Sequence, residues 1–74
     1  MKLSEFNYAV ATEYGDAYGR VVVRDLVLAS LGGRTAHQAL EDGERPRDVW
    51  AALCDATDVP IARRSGVGLP SPRD

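Results

Sequence analysis

One stretch of the sequence constrains the fold more than any other: GGRTAHQALEDGERPRDVWAALCDA, which begins at Gly32. Thr35 is followed three residues later by Gln38, and this spacing is a capping box, the pattern that begins a helix. Gly43 suits the left-handed position that ends a helix. Pro46 suits the first turn of another, because its missing amide hydrogen would be unpaired there anyway. The stretch therefore predicts a short helix, a glycine turn and a second helix, which is the outline of a helix-turn-helix.

The same signals extend to the whole chain and predict an all-α fold, a small bundle of four helices plus a short terminal turn. The predicted bounds are 5–14, 17–31, 36–42, 46–57 and 60–64. Ser4 and Asp16 are the expected N-caps of the first two helices, and Gly15 is the expected end of the first. The second helix contains VVVRDLVLASL, which is apolar on nearly every side. It is therefore predicted to be the buried central helix. Its valines would also suit a strand, but no partner strand is apparent in the sequence.

Length and composition predict one small domain. The chain has 74 residues, of which 45% are hydrophobic and 27% charged, and its net charge is −2. The composition is typical of a globular protein. The length is close to the size at which a single core is only marginally stable. Residues 1–64 form the predicted helical domain, and residues 65–74, rich in glycine and proline, form a predicted disordered tail. A single cysteine, no signal-peptide pattern and no long apolar run predict a cytoplasmic protein without a membrane span.

Few residues could carry chemistry. A metal site needs three or four converging ligands, and the chain has only His37 and Cys54 besides its carboxylates. His37 is expected to face solvent. Cys54 lies on the apolar side of its helix, where burial raises the pKa of a thiol and hides it from substrates. The sequence therefore predicts no catalytic residue, no metal, no cofactor and no enzymatic activity.

Nucleic-acid binding is the alternative that the helix-turn-helix outline raises. The arginines that would contact phosphate are Arg34, Arg45, Arg47, Arg63 and Arg64. However, residues 34–58 together carry a net charge of −3. Carboxylates placed near phosphates oppose DNA binding, because the affinity comes mainly from neutralising the phosphates. DNA contact is therefore possible but disfavoured.

Protein binding is the function that the sequence favours. The candidate interaction residues line the predicted turn and are Glu41, Asp42, Glu44, Arg45, Arg47 and Asp48. Aromatic side chains add a second candidate surface: if Tyr8 and Tyr18 are exposed beside the indole edge of Trp50, the three would form an amphipathic patch. If all three pack in the core, which is the default for their spacing, no such patch exists. A domain with so small a core could also complete it against a partner protein or a second copy of itself.

Several separate blocks of the sequence resemble a known family. They are MKLSEF, AYGR followed by RDLVL, LGGRTAHQALEDG and PRDVWAALCDATDVPIARR. In this order they are similar to a family of short actinobacterial proteins classed as a domain of unknown function, over roughly residues 1–64. Eight arginines against one lysine fit a GC-rich genome of that kind. The resemblance implies an all-helical cytosolic protein and carries over no activity, cofactor or catalytic residue.

Overall fold

The computed structural model describes residues 1–64, and most of them are helical, as the sequence predicts. The elements of this part follow in the order α1 (Leu3–Tyr14), α2 (Asp16–Asp25), β1 (Val27–Leu28), a 3₁₀ turn (Ala29–Leu31), β2 (Arg34–Thr35), α3 (Ala36–Glu41), α4 (Pro46–Ala56) and α5 (Ile61–Arg64). The two strands correct the all-α prediction, and the four-residue α5 lies where the terminal turn 60–64 was predicted. The predicted tail, 65–74, lies outside the described residues.

Three local predictions for residues 35–46 are confirmed, namely the capping box that begins α3, the glycine that follows α3 and the proline that begins α4. The Thr35 hydroxyl accepts a hydrogen bond from the Gln38 backbone N–H at 3.1 Å, and the Gln38 side-chain oxygen accepts one from the Thr35 N–H at 2.9 Å. Gly43 has a φ of 94°, a left-handed conformation that disfavours residues with a side chain. Pro46 is the first residue of α4. Each of these choices depends on neighbours within four positions, which is why the sequence predicts them.

The predicted caps of the first two helices are wrong. The backbone N–H of Lys2 donates to the Glu5 carboxylate at 2.8 Å, so α1 begins two residues earlier than predicted, with Lys2 as its N-cap. Ser4 consequently lies inside α1. Gly15 ends α1 as predicted, but with its φ of 85° it also caps α2, so that Asp16 is the first helical residue and not the cap. One glycine thus forms the whole corner between the two helices.

The predicted second helix is also too long, because α2 ends at Asp25. Val27 and Leu28 instead form β1, which pairs antiparallel with β2. Gly32 and Gly33, with φ values of 70° and 80°, let the chain reverse between the strands. The hairpin supplies the pairing that a lone strand would lack, since the ladder satisfies backbone groups of both strands. A strand of two residues is too short to show the alternating pattern from which strands are predicted.

The central helix is α4, and the prediction that α2 has this role is wrong. Helix α4 packs against α1, α3 and the hairpin, whereas α2 buries only Gly19 and Val22. The Trp50 ring meets the ring of Phe6 edge-on, with centroids 6.4 Å apart. The buried core consists of Phe6, Ala9, Val10, Val22, Leu28, Ala36, Ala39, Val49, Trp50, Ala52, Leu53, Cys54 and Val59. The apolar residues that predicted a central second helix are divided between α2 and β1.

A glycine allows α1 and α2 to approach closely. A Cβ atom placed on Gly19 would lie 2.8 Å from Cγ1 of Val10, which is shorter than a carbon–carbon contact allows. Val10 is buried and, as a β-branched residue in a helix, has few alternative rotamers. Helices α1 and α2 therefore pack closely at this point, which affects the shape of the groove described below.

Candidate interaction surface

Arg34, one of the predicted phosphate contacts, is engaged with the turn between α3 and α4. Its guanidinium donates to the Asp42 carboxylate at 3.0 Å and to the Glu44 carboxylate at 2.7 Å. Its Nε donates to the Leu31 carbonyl oxygen at 2.8 Å. The hydrogen bonds to Glu44 and then to Asp42 raise the pKa of Arg34 above its ordinary value. One cation thus ties the hairpin to the turn and pairs with two of the predicted interaction residues.

The other predicted residues of the turn differ in their pairing. Arg45 and Asp48 pair with each other at 3.2 Å, and Glu41 lies 3.3 Å from Nε2 of His37. Arg47 has no ion pair or hydrogen-bonding partner for its side chain within residues 1–64. The acidic turn is therefore largely neutralised by arginines of the same chain, although its residues remain partly or fully exposed.

The last two predicted phosphate contacts hold α5 in place. Arg63 makes a bidentate ion pair with the Glu13 carboxylate of α1, in which its Nε and Nη2 each donate a hydrogen bond of 3.0 Å. Arg64 donates to the carbonyl oxygens of Val59, at 2.7 Å, and Cys54, at 3.4 Å. It also pairs with the Asp55 carboxylate. Both arginines therefore act within the fold.

Helix α2 presents a surface of which only Tyr18 was a predicted interaction residue. Tyr18 is 61% exposed and Val21 50% exposed. Arg20 and Arg24 lie one turn apart and are exposed, and neither has a carboxylate or hydrogen-bonding partner within the described part of the chain. We call these four residues the outer face of α2. Val27, 60% exposed, lies just beyond the end of the helix. The four-residue spacing of the arginines is visible in the sequence, but the helix that carries them was expected to be buried.

A groove of about 330 Å³ lies between α1 and α2. Its apolar lining includes Val10 and Val23. The basic side chains of Arg20 and Arg24 and the imidazole of His37 also line it. The remaining lining residues are Asn7, Ala11, Gly15, Asp16 and Gly19. An apolar surface bordered by two guanidinium groups that have no carboxylate partner within residues 1–64 suits a ligand that carries both hydrocarbon and negative charge.

The environments predicted for His37 and Cys54 are confirmed. His37 has a side chain 53% exposed. Cys54 is fully buried, and this burial raises the pKa of its thiol from the ordinary 9.0 to about 11, although the nearby Arg64 acts in the opposite direction. At neutral pH the thiol is therefore protonated and a poor nucleophile. Within residues 1–64, no three His, Cys, Asp or Glu side chains are grouped so that they could hold a metal ion.

The aromatic patch that Tyr8, Tyr18 and Trp50 would have formed together is absent from the described residues. Tyr8 and Tyr18 are exposed, but Trp50 is only 6% exposed and belongs to the core. Its indole N–H donates to the carbonyl oxygen of Arg64 at 3.2 Å. The ring of Tyr18 instead lies 6.1 Å from that of Tyr14, centroid to centroid. Trp50 therefore supports α5 from within, and only the tyrosines remain available at the surface.

Sequence comparison identifies the family. The family described as "Protein of unknown function (DUF3046)" matches residues 1–62. The chain belongs to this family. The match covers nearly all of the described structure, from α1 into α5, and it confirms the resemblance noted from the sequence blocks.

A protein of Mycobacterium tuberculosis also matches part of the chain. It is described as "Putative envelope-preserving system protein Rv2742c", and it is 56% identical over 46 residues, or 60% of the chain. The matched segment spans only 17% of the length of that relative. No solved structure matches the chain.

No helix of residues 1–64 could span a membrane. The longest is α1, with 12 residues, and none of these helices has the length and apolar character needed to cross a bilayer.

Proposed function

We propose that this member of the family is a non-enzymatic helical module that binds another protein through the outer face of α2. The observation that carries the proposal is the exposure of Tyr18 and Val21 beside two unpaired arginines. Tyrosine and arginine are enriched among the residues that contribute most to binding at protein interfaces. A helix that buries only two of its ten residues leaves most of its surface for a partner.

The acidic turn of residues 41–48 is the other surface through which a protein could bind. Its six candidate residues are exposed or partly exposed, which supports this role. Asp42 and Glu44 pair with Arg34, however, and Asp48 pairs with Arg45. A partner would have to compete with these contacts, whereas Arg20 and Arg24 on α2 offer charges with nothing to displace. We therefore favour the outer face of α2.

The buried state of Cys54 supports the non-enzymatic part of the proposal. A nucleophilic cysteine needs access to substrate and a lowered pKa, and Cys54 has neither. A free, protonated thiol also suits a reducing compartment, so we propose a cytoplasmic location.

DNA binding through α3 and α4 is the alternative function, since the two helices follow the order and turn chemistry of a helix-turn-helix. Of the five candidate arginines, Arg34, Arg45, Arg63 and Arg64 each pair with a carboxylate of the same chain. Only Arg47 among the five has no partner within residues 1–64. Phosphate contact by the paired arginines would cost their present ion pairs, so this alternative has weaker support than protein binding.

Affinity purification from the native host tests the proposal, with mass spectrometry of the bound material before and after nuclease treatment. The wild-type chain is compared with a Tyr18→Ser/Val21→Ser variant and with a Glu41→Lys/Arg47→Glu variant, which alters the acidic turn but leaves the Arg34 ion pairs intact. We expect a stoichiometric protein that survives nuclease, is lost with the α2 variant and is retained with the turn variant. Thermal melts of both variants confirm that each is folded.

Three results would count against the proposal. Loss of the partner only in the turn variant would move the binding surface to residues 41–48. Recovery that depends on intact nucleic acid, together with affinity for duplex DNA that falls steeply with salt, would favour the DNA-binding alternative. Recovery of no stoichiometric protein would reject the protein-binding function.

A further inference from the structure

We propose that the groove between α1 and α2 receives an acidic helix of the partner protein, whose carboxylates pair with Arg20 and Arg24. The inference rests on the proposed protein-binding function and specifies the chemistry of the partner. Arg20 and Arg24 belong both to the outer face of α2 and to the lining of this groove, whereas Tyr18 and Val21 do not line it.

The shape of the groove suits a helix. Two helices, α1 and α2, form its walls, and the missing side chain at Gly19 allows them to lie close together. The side chains of Val10 and Val23 give it an apolar lining. A shallow apolar channel between two helices is the kind of surface on which the apolar side of an amphipathic helix packs.

The charges along the groove select an acidic occupant. Arg20 and Arg24 are four residues apart on α2, which corresponds to a rise of about 6 Å. Two glutamates four residues apart on a facing helix have the same separation and can therefore meet both guanidinium groups. His37 is the third basic side chain of the lining, and Asp16 is its one carboxylate among the described residues. The positive excess opposes a basic occupant and attracts an acidic one.

The unpaired state of the arginines strengthens the argument. Arg34, Arg45, Arg63 and Arg64 each pair with a carboxylate of the same chain. Among the arginines of residues 1–64, only Arg20, Arg24 and Arg47 have no such partner within that range. Arg20 and Arg24 instead lie next to each other with the same charge, an arrangement that opposes helix formation slightly. A binding partner with two carboxylates would relieve this repulsion and would add two charge-assisted hydrogen bonds. The two positions are therefore suited to recognition more than to stability.

A titration with a synthetic peptide tests the inference on the full 74-residue chain. The probe is a capped 14-residue Ala/Leu-based helical peptide with two glutamates four positions apart, and the matched peptide has glutamines in their place. Backbone amide chemical shifts of the ¹⁵N-labelled protein report where each peptide binds. We expect the glutamate peptide to shift the amides of Asn7, Gly19 and Arg24, and the glutamine peptide to bind several-fold more weakly.

Variants of the chain give the second measurement. Each of Arg20→Gln and Arg24→Gln should weaken peptide binding about two- to five-fold, the range expected for partly exposed ion pairs. The double variant should weaken peptide binding more than either single change does. An Arg45→Gln/Arg47→Gln variant removes the same charge from the acidic turn and should leave peptide binding unchanged.

Other outcomes overturn the inference. The absence of shifts at the groove at millimolar peptide would do so, as would equal binding of the glutamate and glutamine peptides. Equal affinity for free glutarate would mark a site for a small anion, and tighter binding of duplex DNA at the same amides would mark a nucleic-acid site. If the natural partner is lost in Tyr18→Ser/Val21→Ser but retained in Arg20→Gln/Arg24→Gln, the protein-binding function stands and the groove is not the recognition site.

Discussion

The buried thiol of Cys54 predicts a specific dependence of stability on alkaline pH. Burial raises its pKa from 9.0 in the ordinary state to about 11 in the folded state. The folded protein therefore holds this proton more tightly than the unfolded chain does. The resulting stability is fully present below pH 9 and is lost as pH rises from 9 through the folded-state pKa of about 11. Each tenfold difference in proton affinity corresponds to about 1.4 kcal/mol. The difference here is about a hundredfold, so the total loss of folding stability is about 3 kcal/mol.

A Cys54→Ala variant isolates this contribution. At pH 8 we expect the variant to be about 1 kcal/mol less stable than the wild type, because a small cavity replaces the sulfur atom. At pH 11 we expect it to be about 1 kcal/mol more stable, because the wild type has by then lost about 2 kcal/mol through ionisation of its thiol. Burial, the largest cause, also raises the pKa of Tyr14, and both proteins carry this buried residue, so the part of its effect that burial causes cancels in the comparison. The two stability curves should therefore cross between pH 9 and 11.

The assay is urea unfolding followed by circular dichroism between pH 8 and 11, in the presence of a phosphine reductant to keep the thiol reduced. Labelling by iodoacetamide provides an independent check, since Cys54 should react only when the protein unfolds. Parallel curves for the wild type and Cys54→Ala would refute the reasoning. Rapid labelling under native conditions would also do so, and it would reopen the question of a reactive cysteine.

Three further predictions concern the helices and turns and are measured by the same unfolding assay. Thr35→Ala should lower the free energy of unfolding by about 1 kcal/mol, because the Gln38 amide loses its cap, and an unchanged value would mean that the capping box is unimportant. Gly19→Ala should destabilise by about 1 kcal/mol net, since the clash with Val10 exceeds the gain in helix propensity. In a Val10→Ala background the same change should stabilise, and equal effects in both backgrounds would exclude the clash. Asp58→Gly should stabilise by about 0.5 kcal/mol, because Asp58 has a φ of 58°, and a loss of stability would show that its side chain matters more than its backbone strain.

The sequence predicts those parts of the fold that are set by near neighbours. The Thr35 capping box, the Gly43 turn and the Pro46 helix start each involve residues a few positions apart, and all three are confirmed. The burial of Trp50 and Cys54 also follows from helical spacing alone. These features need no knowledge of the remainder of the chain.

The hairpin could not be predicted in the same way. Two-residue strands have no alternating pattern, and the pairing of Val27 and Leu28 with β2 depends on a reversal at Gly32 and Gly33. The sequence showed these glycines only as the end of a long helix. The same error made α2 appear central, since residues that belong to β1 were counted on its apolar side.

The sequence predicts which charged residues the candidate site contains, but not which of them form ion pairs with each other. The acidic character of residues 41–48 follows from counting charges, but the contacts of Arg34 with residues eight and ten positions later depend on tertiary structure. The same holds for Arg63 and Glu13, which are 50 positions apart. Only after these pairs are assigned do Arg20 and Arg24 stand out as unpaired, and this moves the favoured surface from the turn to α2.

Site-specific photo-crosslinking in the native host tests the central claim most directly. A benzophenone amino acid is placed either at position 21, on the outer face of α2, or at position 47, which is exposed on α4 and has no partner within residues 1–64. We expect irradiation to yield one protein adduct of defined mass from position 21, resistant to nuclease, and none from position 47. An adduct from position 47 alone, or one that nuclease removes, would contradict the account.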